Sequence, residues 1–219
     1  MNKPVIIIGG AGHGSVIAAC INDNRNRFGD CEWELKGFCN DYDSEVDGYP
    51  VLGKLSDIPT LLEQGFYFVW GIHLIGRNVK TAELFESIHI PDDRWATIIH
   101  KTAFIADSVV LEPGVFIMAN AYIAPRTIVG KCSMVKANTN IGHDVKIAPI
   151  SHIAMGAIVV SFVEVGYCSN VAVGATILAY CKIGKYAMAG AASLVTHDIP
   201  DYEIHVGTPA KFMKMINKE

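Results

Sequence analysis

An α/β N-terminal domain built on a small parallel sheet (Rossmann-like), followed by a parallel β-helix of hexapeptide repeats, is the fold class this sequence predicts. From Ile99 to Val195 an aliphatic residue recurs at every sixth position; sixteen of these seventeen are Ile, Leu or Val, and Ala189 is the exception. Four residues after each comes a small one, from Ala103 and Val109 through Cys181 and Ala187 to Ser193. Before Thr97 the pattern is different: short apolar runs alternate with helical stretches around a glycine loop.

Taken in order, Pro4–Ile8 reads as a strand that enters Gly9-Gly10-Ala11-Gly12-His13-Gly14, and a helix follows from Ser15 to about Asn22. Trp33–Phe38 and Phe66–Trp70 read as further strands, with helices over Leu55–Glu63 and Val79–Ser87. Strands alternating with helices imply a parallel sheet. The boundary falls near Arg94–Thr97, which divides the chain into residues 1–96 and 97–219. Beyond it, period six suits neither a helix nor a simple strand. Three hexapeptides make one triangular coil, so the aliphatic residues point inward and stack on their equivalents eighteen residues away. The small residues lie near the corners. Each coil buries its core against its neighbours, so stability accumulates along the stack. After Val195 the rhythm stops, and Thr196–Glu219 forms a tail carrying Gly207-Thr208-Pro209-Ala210-Lys211.

Hydrophobic residues make up 51% of the chain and charged ones 18%, an apolar balance that calls for an explanation. Membrane insertion does not supply one. The longest apolar stretches, Ile153–Val163 and Val171–Cys181, keep the six-residue rhythm and fall short of the roughly twenty residues a spanning helix needs. Phe116, Met118, Tyr122, Ile158, Val160, Leu178 and Tyr180 fall on outward phases of the repeat, and such a patch marks subunit contacts. The N-terminus enters a strand without a signal-peptide layout, and the six cysteines form no CxxC pair or disulfide-like framework. Both features point to a reduced, cytoplasmic protein. A net charge of −4 excludes a broadly nucleic-acid-binding surface, so an anionic ligand must be met by local groups.

A strand–glycine–helix turn presents backbone N–H groups to a phosphate. The GGAGHG spacing departs from the dinucleotide fingerprint, and a tight turn in a sheet domain explains it equally well on its own. The combination of Ile8–Gly14, Gly37–Asp41, Ile99–Ala103, Asn138–Asp144 and Val206–Lys211 is more specific. It resembles the bacterial sugar O- and N-acetyltransferases, which include sialic acid O-acetyltransferases and nucleotide-amino-sugar N-acetyltransferases, and the resemblance spans the whole chain. It implies a left-handed β-helix, an acetyl-CoA site between the subunits of a homotrimer, and an N-terminal domain that holds a nucleotide-sugar. Gly10, His13 and Gly14 would line the diphosphate or sugar site, Asn40 and Asp41 would approach the nucleobase, and Asn138 would meet the acceptor. His73, in Gly71-Ile72-His73, stands where many relatives carry a small polar residue.

His143 stands two residues after the inward Ile141, outside the core, with Asp144 directly after it. An imidazole titrating near neutrality suits removal of a proton from an amine or hydroxyl attacking a thioester. By resemblance Asp144 orients it. Ser161 lies one coil on, about 4.8 Å away, so its backbone N–H is near enough to stabilise an oxyanion. Relatives often have Gly there. By resemblance His152 would bind the acetyl or pantetheine part of the cofactor, and the C-terminal motif brings Gly207, Pro209 and Lys211 to it. Lys182 and Lys185 could meet its phosphates, though solvated charge accounts for them as well. His89, His197 and His205 read as ordinary surface residues.

The expected reaction is acetylation of the 4-amino group of a nucleotide-linked 4-amino-4,6-dideoxy sugar, with UDP ahead of dTDP or GDP and no metal. Sialic acid O-acetylation is the main alternative, followed by a non-catalytic sugar-nucleotide-binding trimer. A zinc hydration enzyme on the same helix would need three converging histidines. His143 and His152 occupy different repeat phases, and no third histidine follows them within the helix.

Overall fold

The computed structural model describes residues 2–217, so Met1, Lys218 and Glu219, at the outer ends of the two predicted domains, lie outside it. The N-terminal part runs β1 (Lys3–Ile8), α1 (His13–Phe28), β2 (Trp33–Cys39), β3 (Glu45–Val46), β4 (Tyr49–Gly53), α2 (Ile58–Glu63), β5 (Tyr67–Trp70) and α3 (Asn78–Glu86). Its sheet has the order β3-β4-β2-β1-β5, with β1 parallel to β2 and β5. β1 is flanked by β2 and β5 and fully buried from Val5 to Ile8, which is why it reads as a continuous apolar run rather than an alternating one. α1 continues to Phe28, past its predicted end near Asn22. Ile17, Ile21 and Asn24 keep one face inward, and Asp23 pairs with Arg27 one turn on. The β3–β4 hairpin was not foreseen.

From Ile98 to Val195 the chain is a left-handed β-helix of two-residue rungs, arranged in three parallel sheets that form the faces of a prism, and Glu203–Val206 and Lys211–Met215 add an antiparallel pair at its end. Face one begins with Ile98–Ile99 and Phe116–Ile117, face two with Phe104–Ile105 and Tyr122–Ile123, and face three with Val110–Leu111 and Ile128–Val129. Every rung pairs with the rung eighteen residues away, as Val135 does with Ile153 and Ile153 with Val171. The aliphatic series is buried from Ile117 to Val195, whereas Ile99, Ile105 and Leu111 in the first coil are only partly covered. The small positions also point inward. At four of them, Thr127, Ser133, Ser151 and Ser169, the hydroxyl donates to a carbonyl fifteen residues ahead, on the next coil. The hydroxyls thus find acceptors within the prism instead of being buried unpaired.

The N-terminal domain rests on face one. Phe116, predicted as part of a subunit patch, is fully buried in the core that joins the two parts, and Met118 packs against that core. Val160 is half-buried, while Tyr122, Ile158, Leu178 and Tyr180 remain exposed. Polar contacts fix the joint. Asn24 donates to the Ile99 carbonyl (2.8 Å), Asn78 donates to the Cys168 carbonyl (2.8 Å), and His100 Nε2 meets Asp23 at 2.8 Å. Among the described residues no helix is long and apolar enough to cross a membrane.

Ile153 is wholly buried between Val135 and Val171, so Ile153→Ala should destabilise the helix by about 2–5 kcal/mol. Chemical denaturation measures this, and a loss below about 1 kcal/mol would mean that the stack relaxes into the cavity.

Candidate active site

Two separate places gather the predicted residues. The first is a cavity of about 300 Å³ where β1, β2 and β5 end, lined by Gly9, Gly10, His13, Asn40, Asp41 and His73 among others. The glycine loop turns here because β1 and β5 run side by side. A side chain at Gly9 (φ 138°) would strike the Gly71 carbonyl, and the chain then enters α1, whose N-terminus opens on the cavity. Gly10 and His13 line this space. Gly14 does not. It is buried with Phe38 and Ile7 where a Cβ would point, so its small size lets α1 lie close on the sheet. Asn40 is also committed to the backbone: its amide donates to the Gly9 carbonyl (3.2 Å), and its oxygen accepts from the N–H groups of Tyr42 and Asp43. Asp41 is exposed at the rim.

The second place is the corner between faces two and three. His143 Nδ1 lies 2.6 Å from Asp144 Oδ2. A carboxylate only accepts, so Nδ1 carries a proton, and in the neutral ring the lone pair is then on Nε2. Asp144 takes a left-handed conformation (φ 58°), one that Asp tolerates at such corners. Arg126, one coil back, grips the same carboxylate with Nε at 2.8 Å and Nη2 at 2.7 Å. The guanidinium first and the imidazole second hold the Asp144 carboxyl far below the usual carboxylate range. Arg126 was not anticipated, although counting eighteen residues back from Asp144 leads to it. Ser161 stacks on Gly142, where a Cβ would come 2.6 Å from the Ser161 nitrogen. Among the described residues the Ser161 N–H has no hydrogen-bond acceptor. Phe162 packs edge-on to His143 with ring centres 5.1 Å apart, and Tyr180 stacks on Phe162 in turn.

The other predicted residues lie elsewhere. His152, read as lying outside the core, is buried under the N-terminal domain: its ring stacks on His73 at 4.6 Å and lies 5.0 Å from His13. That removes it from the open surface of the coil, where a cofactor contact was expected. Lys182 and Lys185 stand on or beside face three, and Lys182 is paired with Glu164 at 3.2 Å. The Gly207–Lys211 segment closes the last coil. The Gly207 carbonyl accepts from Leu194 N, Thr208–Pro209 is a cis bond, and Lys211 is exposed. Asn138 is an exposed corner residue with φ 58°, so the backbone alone accounts for an Asn there. Among the described residues no group of three or more His, Cys, Asp or Glu is placed to hold a metal ion.

Residues 4–88 match the family model described as the PglD N-terminal domain. A perosamine N-acetyltransferase from Caulobacter crescentus, solved with CoA and GDP-perosamine, superposes with a TM-score of 0.83. It is 27% identical, over 97% of this chain and 98% of that one. The chain is similar over nearly its whole length to hexapeptide-repeat sugar acetyltransferases. The acetyltransferase domain of PglB from Neisseria gonorrhoeae, solved with acetyl coenzyme A, gives 0.82 at 25% identity, over 97% of this chain and 100% of that one. WeeI from Acinetobacter baumannii, at 19% identity and a TM-score of 0.68, shares the fold. No curated protein matches the chain by sequence.

Burial lowers the pKa of His13 to about 4, that of His73 to about 3, and that of His152 well below 6.5, with the Lys136 charge adding to the effect. The unfolded chain protonates these histidines from about pH 6.5 downward while the folded chain resists, so their contribution to stability is complete above that pH and is lost as pH falls. The melting temperature should therefore drop between about pH 7 and pH 4.5, and His73→Phe should flatten the drop. An unchanged slope in the variant would show that the cluster is not what the acid attacks.

Proposed function

We propose that this acetyl-CoA-dependent acyltransferase acetylates the 4-amino group of a UDP-linked 4-amino-4,6-dideoxy sugar by direct transfer. The observation that carries the reading is the His143–Asp144 pair at 2.6 Å, with an unengaged Ser161 N–H one coil away. His143 Nε2 takes the amine proton as the nitrogen attacks the thioester carbon. Asp144, braced by Arg126, holds the ring and stabilises its positive charge. The Ser161 N–H donates to the oxyanion of the tetrahedral intermediate. As that intermediate collapses, the carbon–sulfur bond breaks, and the thiolate recovers the proton from the imidazolium. No acyl-enzyme forms.

The cavity with Gly10, His13, Asn40 and Asp41 receives the nucleotide-sugar, in keeping with the likeness to an enzyme solved with GDP-perosamine. Acetyl-CoA lies along the β-helix towards Gly207, Pro209 and Lys211, with Lys182 and Lys185 near its phosphates. The N-terminal domain rests on face one, while His143 stands on the corner opposite that face. A complete site therefore needs His143 from a second copy. The exposed Tyr122, Ile158, Leu178 and Tyr180 beside that corner supply the contact surface of a homotrimer. The need for acetyl-CoA and a nucleotide-sugar supports a cytoplasmic enzyme.

Release of CoA thiol tests this, with UDP-, dTDP- and GDP-linked 4-amino sugars offered beside free sialic acid. Turnover on the UDP amino sugar should fall by roughly 10²–10⁴ in His143→Ala and by less in Arg126→Ala. Transfer to sialic acid alone would make the reaction O-acetylation, and full activity in His143→Ala would remove the base.

A further inference from the structure

A second cavity, of about 160 Å³, lies where the N-terminal domain meets face one, and it opens beside the exposed Ile75, Met155 and Val173. Lys136 lines it from the corner between faces one and two. This lysine is 5% exposed, and its Nζ has no hydrogen-bond partner among the described residues. The face of Phe116, 5.2 Å away, offers a cation–π contact but no counter-charge. An ammonium buried in this way is costly unless it gains an anion or loses its charge. Burial accordingly lowers its pKa to about 8, and the one group opposing this, the Cys20 thiol, is itself pushed up to about 12. At about pH 7.5 roughly a quarter of the side chain is then free amine, against about one part in a thousand for an ordinary lysine. His152 lines the same cavity. Its Nδ1 faces Asn170 Oδ1 at 3.3 Å, which leaves the buried Nε2 as an acceptor without a partner. A nucleophilic amine and a proton acceptor thus share one small, largely apolar space.

We propose that Lys136 is a self-acetylation site, its Nζ taking the acetyl group of the acetyl-CoA that this transferase uses. The Nζ lone pair attacks the thioester carbon, the carbon–sulfur bond breaks, and CoA leaves as the thiolate. His152 Nε2 takes the proton that Nζ sheds and passes it to the sulfur. What remains is a neutral amide, which an apolar wall tolerates better than an unpaired ammonium, and its N–H donates to His152 Nε2. Other lysines lack this setting: Lys3, Lys36, Lys101 and Lys182 are solvated and paired with Glu32, Glu34, Asp30 and Glu164. The inference rests on the acetyl donor named above and goes beyond the sugar reading, because the chain modifies itself with no sugar present.

The test is incubation of the full chain with radiolabelled acetyl-CoA and no acceptor, followed by mapping of the labelled lysines by peptide mass spectrometry. Lys136 should label roughly tenfold faster than Lys3, Lys36 or Lys182 and approach one acetyl group per chain. Lys136→Gln keeps a neutral amide in the cavity, so it should lose that label and melt at or above the wild-type temperature. Labelling of the exposed lysines with Lys136 bare, or at the same rate as Lys136, would overturn the proposal. The wild-type map decides this whether or not the variant folds. If Lys136 is acetylated while no sugar turns over in the CoA-release assay, the acceptor reading falls and this site stands. Sugar turnover with Lys136 unlabelled would keep the acceptor reading and remove the site.

Discussion

The eighteen-residue register of the β-helix is the constraint on which the rest depends. Because each coil repeats the backbone path of the one before, residues eighteen apart are held about one strand spacing from each other. Arg126 reaches Asp144 this way, and the Ser161 amide comes level with the His143 corner. The proposed chemistry needs three different kinds of group in one column: a fixed positive charge, a carboxylate–imidazole pair and a free backbone donor. A loop would have to be ordered to bring them together. Here the inward aliphatic series does it, since a one-residue slip would bury the polar residues and expose Ile141 and Val159.

The N-terminal domain adds a second constraint by covering face one. Its cost is a buried polar seam. Asn78 and Asn24 pair with carbonyls of the helix, His100 is held by Asp23, and His73 stacks on His152 with His13 tilted against them, beside a lysine whose Nζ has no hydrogen-bond partner among the described residues. Such a seam is a poor choice for stability alone. It makes sense as a joint that also lines a cavity.

Much of this was legible in the sequence, for physical reasons. The six-residue period reports burial directly, so both the prism and the outward placement of His143 could be read from it. The same counting rule could have led to Arg126. What could not be read was which outward face another part of the chain covers. Phe116 and His152 occupy outward phases just as Tyr122 and Ile158 do, yet only the first two lie beneath the N-terminal domain. Local patterns were also ambiguous wherever one residue type serves two purposes. Gly14 gives room for helix packing rather than for a phosphate, Asn40 ties a turn to the glycine loop, and the polar end of α1 concealed six residues of helix.

The central claim is that the acceptor pocket of one copy is completed by the His143 corner of another. Complementation tests it most directly. His143→Ala lacks the base, and Gly10→Leu fills the glycine-loop cavity, so each variant alone should be inactive. Co-expressed in equal amounts, the two should regain about a quarter of wild-type turnover, because a random closed assembly pairs an intact pocket with an intact corner at that frequency. A mixture as inactive as its parents would contradict the account and place both halves of the site in one chain.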